Sequence, residues 1–172
     1  MSVQFGPEWR EFENRLLRTP QVTEASLRRA MTASLLLIEG DARRNVVQDT
    51  RRLAGSINHR IDGTYPTLVG SVGPNVRYGA AVEFGRRAGA RMPPVDALIG
   101  WVRRHWGPGT PRQLRGRAFV LARSIKRRAD AGDRMAHPFM SPAYRRNQTR
   151  ITQAFARVGA QVTTYLAGQR VA

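Results

Sequence analysis

The chain has 172 residues, enough for one domain with a real core and too few to expect two independent ones. Its 29 basic residues against 12 acidic ones give a formal charge of +17, an imbalance that opposes compaction of an isolated chain and attracts polyanions or acidic protein surfaces. The absence of cysteine excludes disulfides and thiolate metal sites, and the longest strongly apolar stretch, Leu35 to Ile38, falls far short of the ~20 residues a membrane span needs.

Residues 7–18 read as a short amphipathic helix with Trp9, Phe12 and Leu16 on one side. Thr19-Pro20 reads as its end and as the start of a second helix, Thr as N-cap and Pro at the first helical position. Leu27, Met31, Leu35, Ile38, Ala42 and Val46 then recur every three or four residues, one face of a helix of roughly 29 residues, ~43 Å long, reaching about Asp49. Such a length exceeds what one small core uses, so part of this helix is expected to meet a neighbour. From Leu53 to Gly73 β-branched residues alternate around Asp62-Gly63, so strands are expected near Ser56 to Ile61 and Thr64 to Val72, joined by a tight hairpin. Pro66 demotes the second strand to an edge or a bulge.

Arg77 to Phe84 reads as a further strand or a short helix, and Arg86 to Arg91 as a Gly/Arg loop ended by Pro93-Pro94. Pro94 to Trp106 is helical, with Val95, Leu98, Ile99, Val102 and Trp106 inward and Arg103 and Arg104 outward. Gly107 to Pro111 breaks it; Leu114, Ala118, Leu121, Ile125 and Ala129 mark the next helix, stopped by Gly132. Ser141 as N-cap and Pro142 at the first position open a final helix striped by Tyr144, Ile151, Phe155, Val158, Val162 and Tyr165. The expected fold is α+β, a single domain over residues 1–172. A small antiparallel sheet is packed by a long N-terminal and a long C-terminal helix, with N-terminal helices at 7–49, a β-rich core at 53–85, a two-helix insertion at 94–130 and the C-terminal helix at 138–168.

Residues that carry chemistry are few. His59, His105 and His137 lie on different elements, and acids are too scarce to complete a metal site around them, so no metal is expected. There is no nucleophile elbow, no phosphate loop and no useful pair of carboxylates, so no catalytic residue and no cofactor are nominated. Lys126 is the only lysine; the other cations are arginines, whose planar guanidinium makes forked bonds to carboxylate or phosphate. The stretch WVRRHWGPGTPRQLRGR interleaves Trp101 and Trp106 with basic residues, which suits phosphate contact without sequence readout, although a Trp at helical spacing is more often core than a stacking platform. Arg86, Arg87, Arg103, Arg104, Arg115 and Arg127 are the candidates to face DNA or an acidic partner. Glu83, in Val-Glu-Phe-Gly, is expected to pair with an arginine, in its own chain or in the adjacent subunit, and so to order the loop that starts at Arg86, because a carboxylate buried unpaired there would be costly. The opening MSVQFGPEWREFENRLL places acids where a signal peptide carries its basic start, so export is not expected.

Taken in order, VGPNVRYGAAVEFG, MPPVDALIGWVRRHWG, RGRAFVLARSIKRRADAG and HPFMSPAY resemble the tailed-phage minor tail component family, which includes tail-completion and head-tail joining proteins. The resemblance spans roughly Leu53 to Phe155 and rests on Tyr78 to Gly85 and on Pro138-Phe139 with Pro142-Ala143; the two-helix insertion occurs in some members and is missing in shorter ones. It implies a structural virion protein without catalysis, assembled in the host cytoplasm and placed at the head-tail junction. Such proteins form a ring, commonly a hexamer, around the DNA channel, with the tail tube, the tail terminator and the head connector as partners and genomic DNA in the channel. Tyr78, Val82, Glu83, Phe84, Gly85, Pro138, Phe139 and Pro142 are the motif positions it carries over as an assembly interface. A hexamer would gather roughly 100 positive charges, which acidic neighbours or DNA must offset. The tail terminator of the same neck and a nonspecific nucleic-acid-binding protein are the alternatives.

Overall fold

A computed structural model describes residues 7–168, and side chains for residues 10–168. The architecture is α+β: a two-stranded antiparallel sheet with a long helix at each end of the chain, and six helices among the described residues. The chain gathers into two compact units. One comprises the chain up to Asn45, Ile57–Gly73 and the chain from Met140; the other comprises Val46–Ser56 and Pro74–Phe139.

In the first unit, α1 (Pro7–Asn45) packs against α6 (Met140–Leu166) and strand β1 (Ile57–Asp62). The expected break at Thr19-Pro20 does not occur, and α1 runs through Pro20 for 39 residues, about 58 Å at 1.5 Å each. Proline deprives only the Leu16 carbonyl of its N–H partner, and Leu16, Leu17 and Pro20 are all exposed, so water can serve it. The Thr19 hydroxyl, expected to cap a new helix, instead donates to the Arg15 carbonyl at 2.9 Å within the continuing one. The helix ends at Asn45, four residues before the expected end, with Leu35, Ile38 and Ala42 buried as the periodicity requires. The Trp9 side chain lies outside the described ones.

Along β1, Ile57, His59 and Ile61 turn inward and alternate with exposed Asn58, Arg60 and Asp62. Strand β2 (Val69–Pro74) begins five residues later than Thr64, because residues 63–68 form the connection; Pro66 falls in this loop, after a cis Tyr65–Pro66 bond. Thr67 N–H donates to the Thr64 carbonyl at 2.7 Å, so the chain turns over six residues and not two. Buried Glu39 on α1 pairs with Arg43 at 2.7 Å and with His59 Nδ1.

The expected α6 stripe holds at Val158, which is buried, and at Ile151, Val162 and Tyr165, which are half-buried, but not at Tyr144 and Phe155, which are exposed; near the start of the helix Ala143 and Asn147 are buried instead. The cause is Asn147, whose amide donates to Asp41 on α1 and to the Ala143 carbonyl at 2.9 Å: a polar residue occupies a core position that apolar patterning cannot reveal. Met140 is already helical, so Ser141 and Pro142 lie inside the first turn, where a missing N–H costs nothing. Asn147→Ala is expected to destabilise the protein by about 1–3 kcal/mol, read by chemical denaturation. The Asn147 amide first, and Arg44 second, hold the Asp41 carboxyl below its ordinary value against the opposing effect of partial burial. A depressed carboxyl stabilises above the unfolded value of ~3.9 and loses that contribution as pH falls through the folded one. The gap between wild type and Asn147→Ala should therefore close on acidification below about pH 4.

The second unit contains α2 (Arg52–Gly55), α3 (Gly79–Phe84), α4 (Val95–His105) and α5 (Pro111–Asp130). Arg77 to Phe84 thus resolves as turn and helix, without a strand. Helices α4 and α5 pack through Val102, Leu114 and Ala118, flanked by Val95, Leu98, Ile99, Trp101 and Leu121. Trp106, expected inward, stands beyond the end of α4 and is exposed, meeting Trp101 edge-on at 6.0 Å, while His105 stacks on Trp101 at 4.4 Å. The Gly107 to Pro111 breaker also starts α5: Gln113 N–H donates to Thr110 Oγ1 at 3.4 Å and Thr110 N–H to Gln113 Oε1 at 2.9 Å, a capping box with Pro111 at the first position.

Candidate functional site

The two motif stretches on which the resemblance rests lie far apart in sequence and are bonded to each other within the second unit. Three main-chain donors make the junction. His137 N–H donates to the Val82 carbonyl at 2.8 Å, Phe139 N–H to Glu83 Oε2 at 2.7 Å, and Arg86 N–H to the Arg134 carbonyl at 3.0 Å. The end of α3 and the segment 134–139 are thereby held side by side. Phe139 is fully buried, and Glu83 is buried with it.

Local sequence explains why this junction forms where it does. Gly79 opens α3 against Pro74, where a Cβ would stand 2.4 Å from the proline Cγ, so only glycine admits that approach. At the other end Gly85 takes φ 71, ψ −173, a combination essentially reserved for glycine, and a Cβ there would lie 2.1 Å from the Arg134 carbonyl oxygen. The Val-Glu-Phe-Gly order therefore has a mechanical reading. Val82 and Glu83 offer acceptors, and Gly85 lets the chain pass against the carbonyl that receives Arg86 N–H.

Glu83 has a main-chain partner in this junction: its Oε2 receives the Phe139 amide. A carboxylate accepting N–H bonds makes a short, strong, charge-assisted contact in a dry setting. Glu83→Ala removes the acceptor and leaves a buried N–H to be desolvated, an expected loss of about 1–3 kcal/mol. Glu83→Gln keeps an oxygen but drops the charge and should lose less. Thermal melts of both variants check this order, and equal melts for wild type and Glu83→Ala would contradict it.

Of the other motif positions, Tyr78, Phe84 and Pro138 are exposed, Val82 is half-buried at the junction, and Pro142 is half-buried in the first turn of α6. The loop after Gly85 is fastened at both ends. The Arg86 guanidinium donates to the Arg91 carbonyl, and Gly89 N–H donates to Asp130 Oδ1 at 3.0 Å, while Lys126 holds Asp130 Oδ2 at 2.8 Å. Lys126 first and the Gly89 amide second keep the Asp130 carboxyl below its ordinary range. Asp130 and Arg134 were missed as junction residues because their partners are remote. Their only local signal is the helix stop at Gly132 between them.

The candidate arginines differ in how they are engaged. Arg104 is not free for an outside partner: with His105 it clasps Asp49, Nε to Oδ1 at 3.0 Å and His105 Nε2 to Oδ1 at 3.1 Å, and Arg104 is the larger cause of the depressed Asp49 carboxyl. Arg86 is half-buried and spends its guanidinium on Arg91, and Arg115 stands 4.0 Å from Asp96 with both side chains exposed. Arg87, Arg103 and Arg127 are exposed and lie in no ion pair among the described residues. The second unit carries sixteen basic and five acidic residues, a formal +11, against +6 for the rest of the chain.

Among the described residues no three His, Cys, Asp or Glu side chains gather to hold a metal ion, and no helix is long and apolar enough to cross a membrane. No protein-family model, curated protein or solved structure matches this chain.

Proposed function

We propose that this chain is a structural, non-catalytic subunit of a tailed-phage virion, assembled in the host cytoplasm as a ring, hexameric by resemblance, at the head-tail junction. In this reading it surrounds the DNA channel as a tail-completion protein and joins the tail tube to the head connector, next to the tail terminator. The observation that carries the reading is the bonded junction: Glu83 and Phe139, 56 residues apart, meet with Gly85 pressed on Arg134, so the motifs behind the resemblance act as one physical unit. That unit leaves Tyr78 and Phe84 exposed, aromatic side chains suited to the centre of a subunit contact. Electron microscopy of the purified full chain and antibody labelling of virions test it. Rings in solution and label at the neck are expected; label on the capsid shell or tail tip would overturn it, and the height of the label along the neck separates completion protein from terminator.

The +11 of the second unit favours a second reading, nonspecific binding to nucleic acid through arginines such as Arg87, Arg103 and Arg127. Binding to duplex DNA should then fall steeply with salt, by a log-log slope of roughly 0.9 per phosphate contacted. A chain that passes unretained over immobilised duplex at low salt sinks this reading.

A further inference from the structure

The end of the α4–α5 pair places an indole where packing does not use it. Trp106 is 46% exposed just beyond α4, although its spacing in the sequence puts it with the inward face. Its main chain is nonetheless fixed on both sides: its N–H donates to the Val102 carbonyl at 2.8 Å, and its carbonyl accepts from Arg117 Nη1 at 3.3 Å. The ring leans edge-on against Trp101 at 6.0 Å, so it is held in place while much of its surface faces solvent. Of the indoles whose side chains are described, Trp101 is half-buried and stacked by His105, which leaves Trp106 as the open one.

Charge alone does not choose a surface on this chain, because exposed arginines without an ion pair occur along much of it. Around Trp106 it is combined with a π surface. From Ala97 to Ala129 there are nine arginines and lysines and no acid. Arg103, three residues before Trp106, and Arg112, in the first turn of α5, are exposed and lie in no ion pair among the described residues. Asp49, an acid bonded to this end of α4, has its charge offset by Arg104 and His105. Every nucleobase has a π face, and its stacking on an aromatic side chain is tolerant of sequence. An acidic protein segment would offer carboxylates to the arginines and nothing planar to the indole, and in a duplex the base faces are covered by their neighbours. A single strand supplies phosphate and open base together.

We propose that the Trp106 end of the α4–α5 pair is a contact for single-stranded nucleic acid, with a base stacked on the Trp106 indole and Arg103 and Arg112 on the flanking phosphates. Such a contact reads no sequence, and it does not separate DNA from RNA, because it uses neither base edges nor the 2′-hydroxyl. The inference deepens the nucleic-acid reading above and rests on it.

Fluorescence anisotropy of labelled oligothymidine, oligouridine and a duplex of equal length with the full chain, with circular dichroism to confirm the fold, tests it. Trp106→Ala should weaken both single strands by about tenfold and the duplex by less than about twofold. Arg103→Ala with Arg112→Ala should lower the log-log salt slope for the single strands by roughly 0.7 for each phosphate contact removed. Phe119→Ala, which removes an aromatic side chain of similar exposure from α5, should leave binding unchanged. Trp106→Phe keeps the test if the alanine variant does not fold: oligothymidine should quench wild-type indole emission, and Trp106→Phe should lose that quenching while retaining most of the affinity. Quenching that persists in Trp106→Phe, or a folded Trp106→Ala that binds single strands like wild type, overturns this contact and leaves the nucleic-acid reading standing. A wild type that binds neither single strand nor duplex at low salt overturns both. Polyglutamate bound as tightly as oligothymidine, with equal loss on Trp106→Ala, gives this surface to an acidic protein and overturns the inference as well.

Discussion

Gly85→Ala is expected to lower the thermal midpoint more than any surface change in the second unit. An alanine at φ 71, ψ −173 is strained by about 1–3 kcal/mol before any contact is considered. Its Cβ would then stand 2.1 Å from a main-chain oxygen, that of Arg134, which cannot swing aside as the end of a flexible side chain could. Relief requires the segment 134–139 to move, and the bonds from Arg86, His137 and Phe139 go with it. A loss of about 3 kcal/mol corresponds to roughly 6–12 °C for a chain of this size. Amide exchange gives the local check: the Arg86, His137 and Phe139 amides should lose protection together, while those in the middle of α5 keep theirs. An unchanged midpoint with unchanged exchange would show that the approach at Gly85 is not a constraint.

Phe139→Ala is the second large expected effect, about 3–5 kcal/mol, because the side chain is fully buried and truncation leaves a cavity. The hydrogen bond to Glu83 is donated by the Phe139 main-chain N–H, which alanine keeps, so the loss is chiefly one of packing. The denaturation midpoint should fall with little change in slope. Phe84→Ala is the control. Phe84 is exposed, so its removal should move stability by no more than about 0.5 kcal/mol while weakening assembly if the ring reading holds. Two phenylalanines from the two motif stretches would then separate, one by stability and one by association.

Much of the fold was legible in the residues. The buried face of α1 at Leu35, Ile38 and Ala42, the pairing face of α5 at Leu114 and Ala118, and the stop at Gly132 follow from periodicity and local breakers. Two punctuation signals misled. Thr19-Pro20 and Asp62-Gly63 carry the chemistry of a helix start and a tight hairpin, but a solvent-facing proline is tolerated inside a long helix, and Tyr65–Pro66 belongs to a longer turn. At the candidate site the importance of Glu83 and Gly85 was legible, and the partners were not. The Phe139 amide that Glu83 accepts is a main-chain N–H 56 residues away, which leaves no mark in composition.

By itself the sequence determined the order of the long helices and of the two strands between them, most of the face that α1, α4 and α5 each bury, and the strong positive charge. Those properties depend on residues within a turn or two of one another, where spacing, caps and breakers act directly. Only the tertiary structure decided that Asn147 occupies the core beside Asp41, 106 residues away, and that Val-Glu-Phe-Gly closes on Phe139. It also decided which arginines are already clasped by acids. A buried polar group satisfied by a distant partner looks, in sequence, like any surface residue, because what makes it tolerable in the interior is a bond the local pattern does not contain.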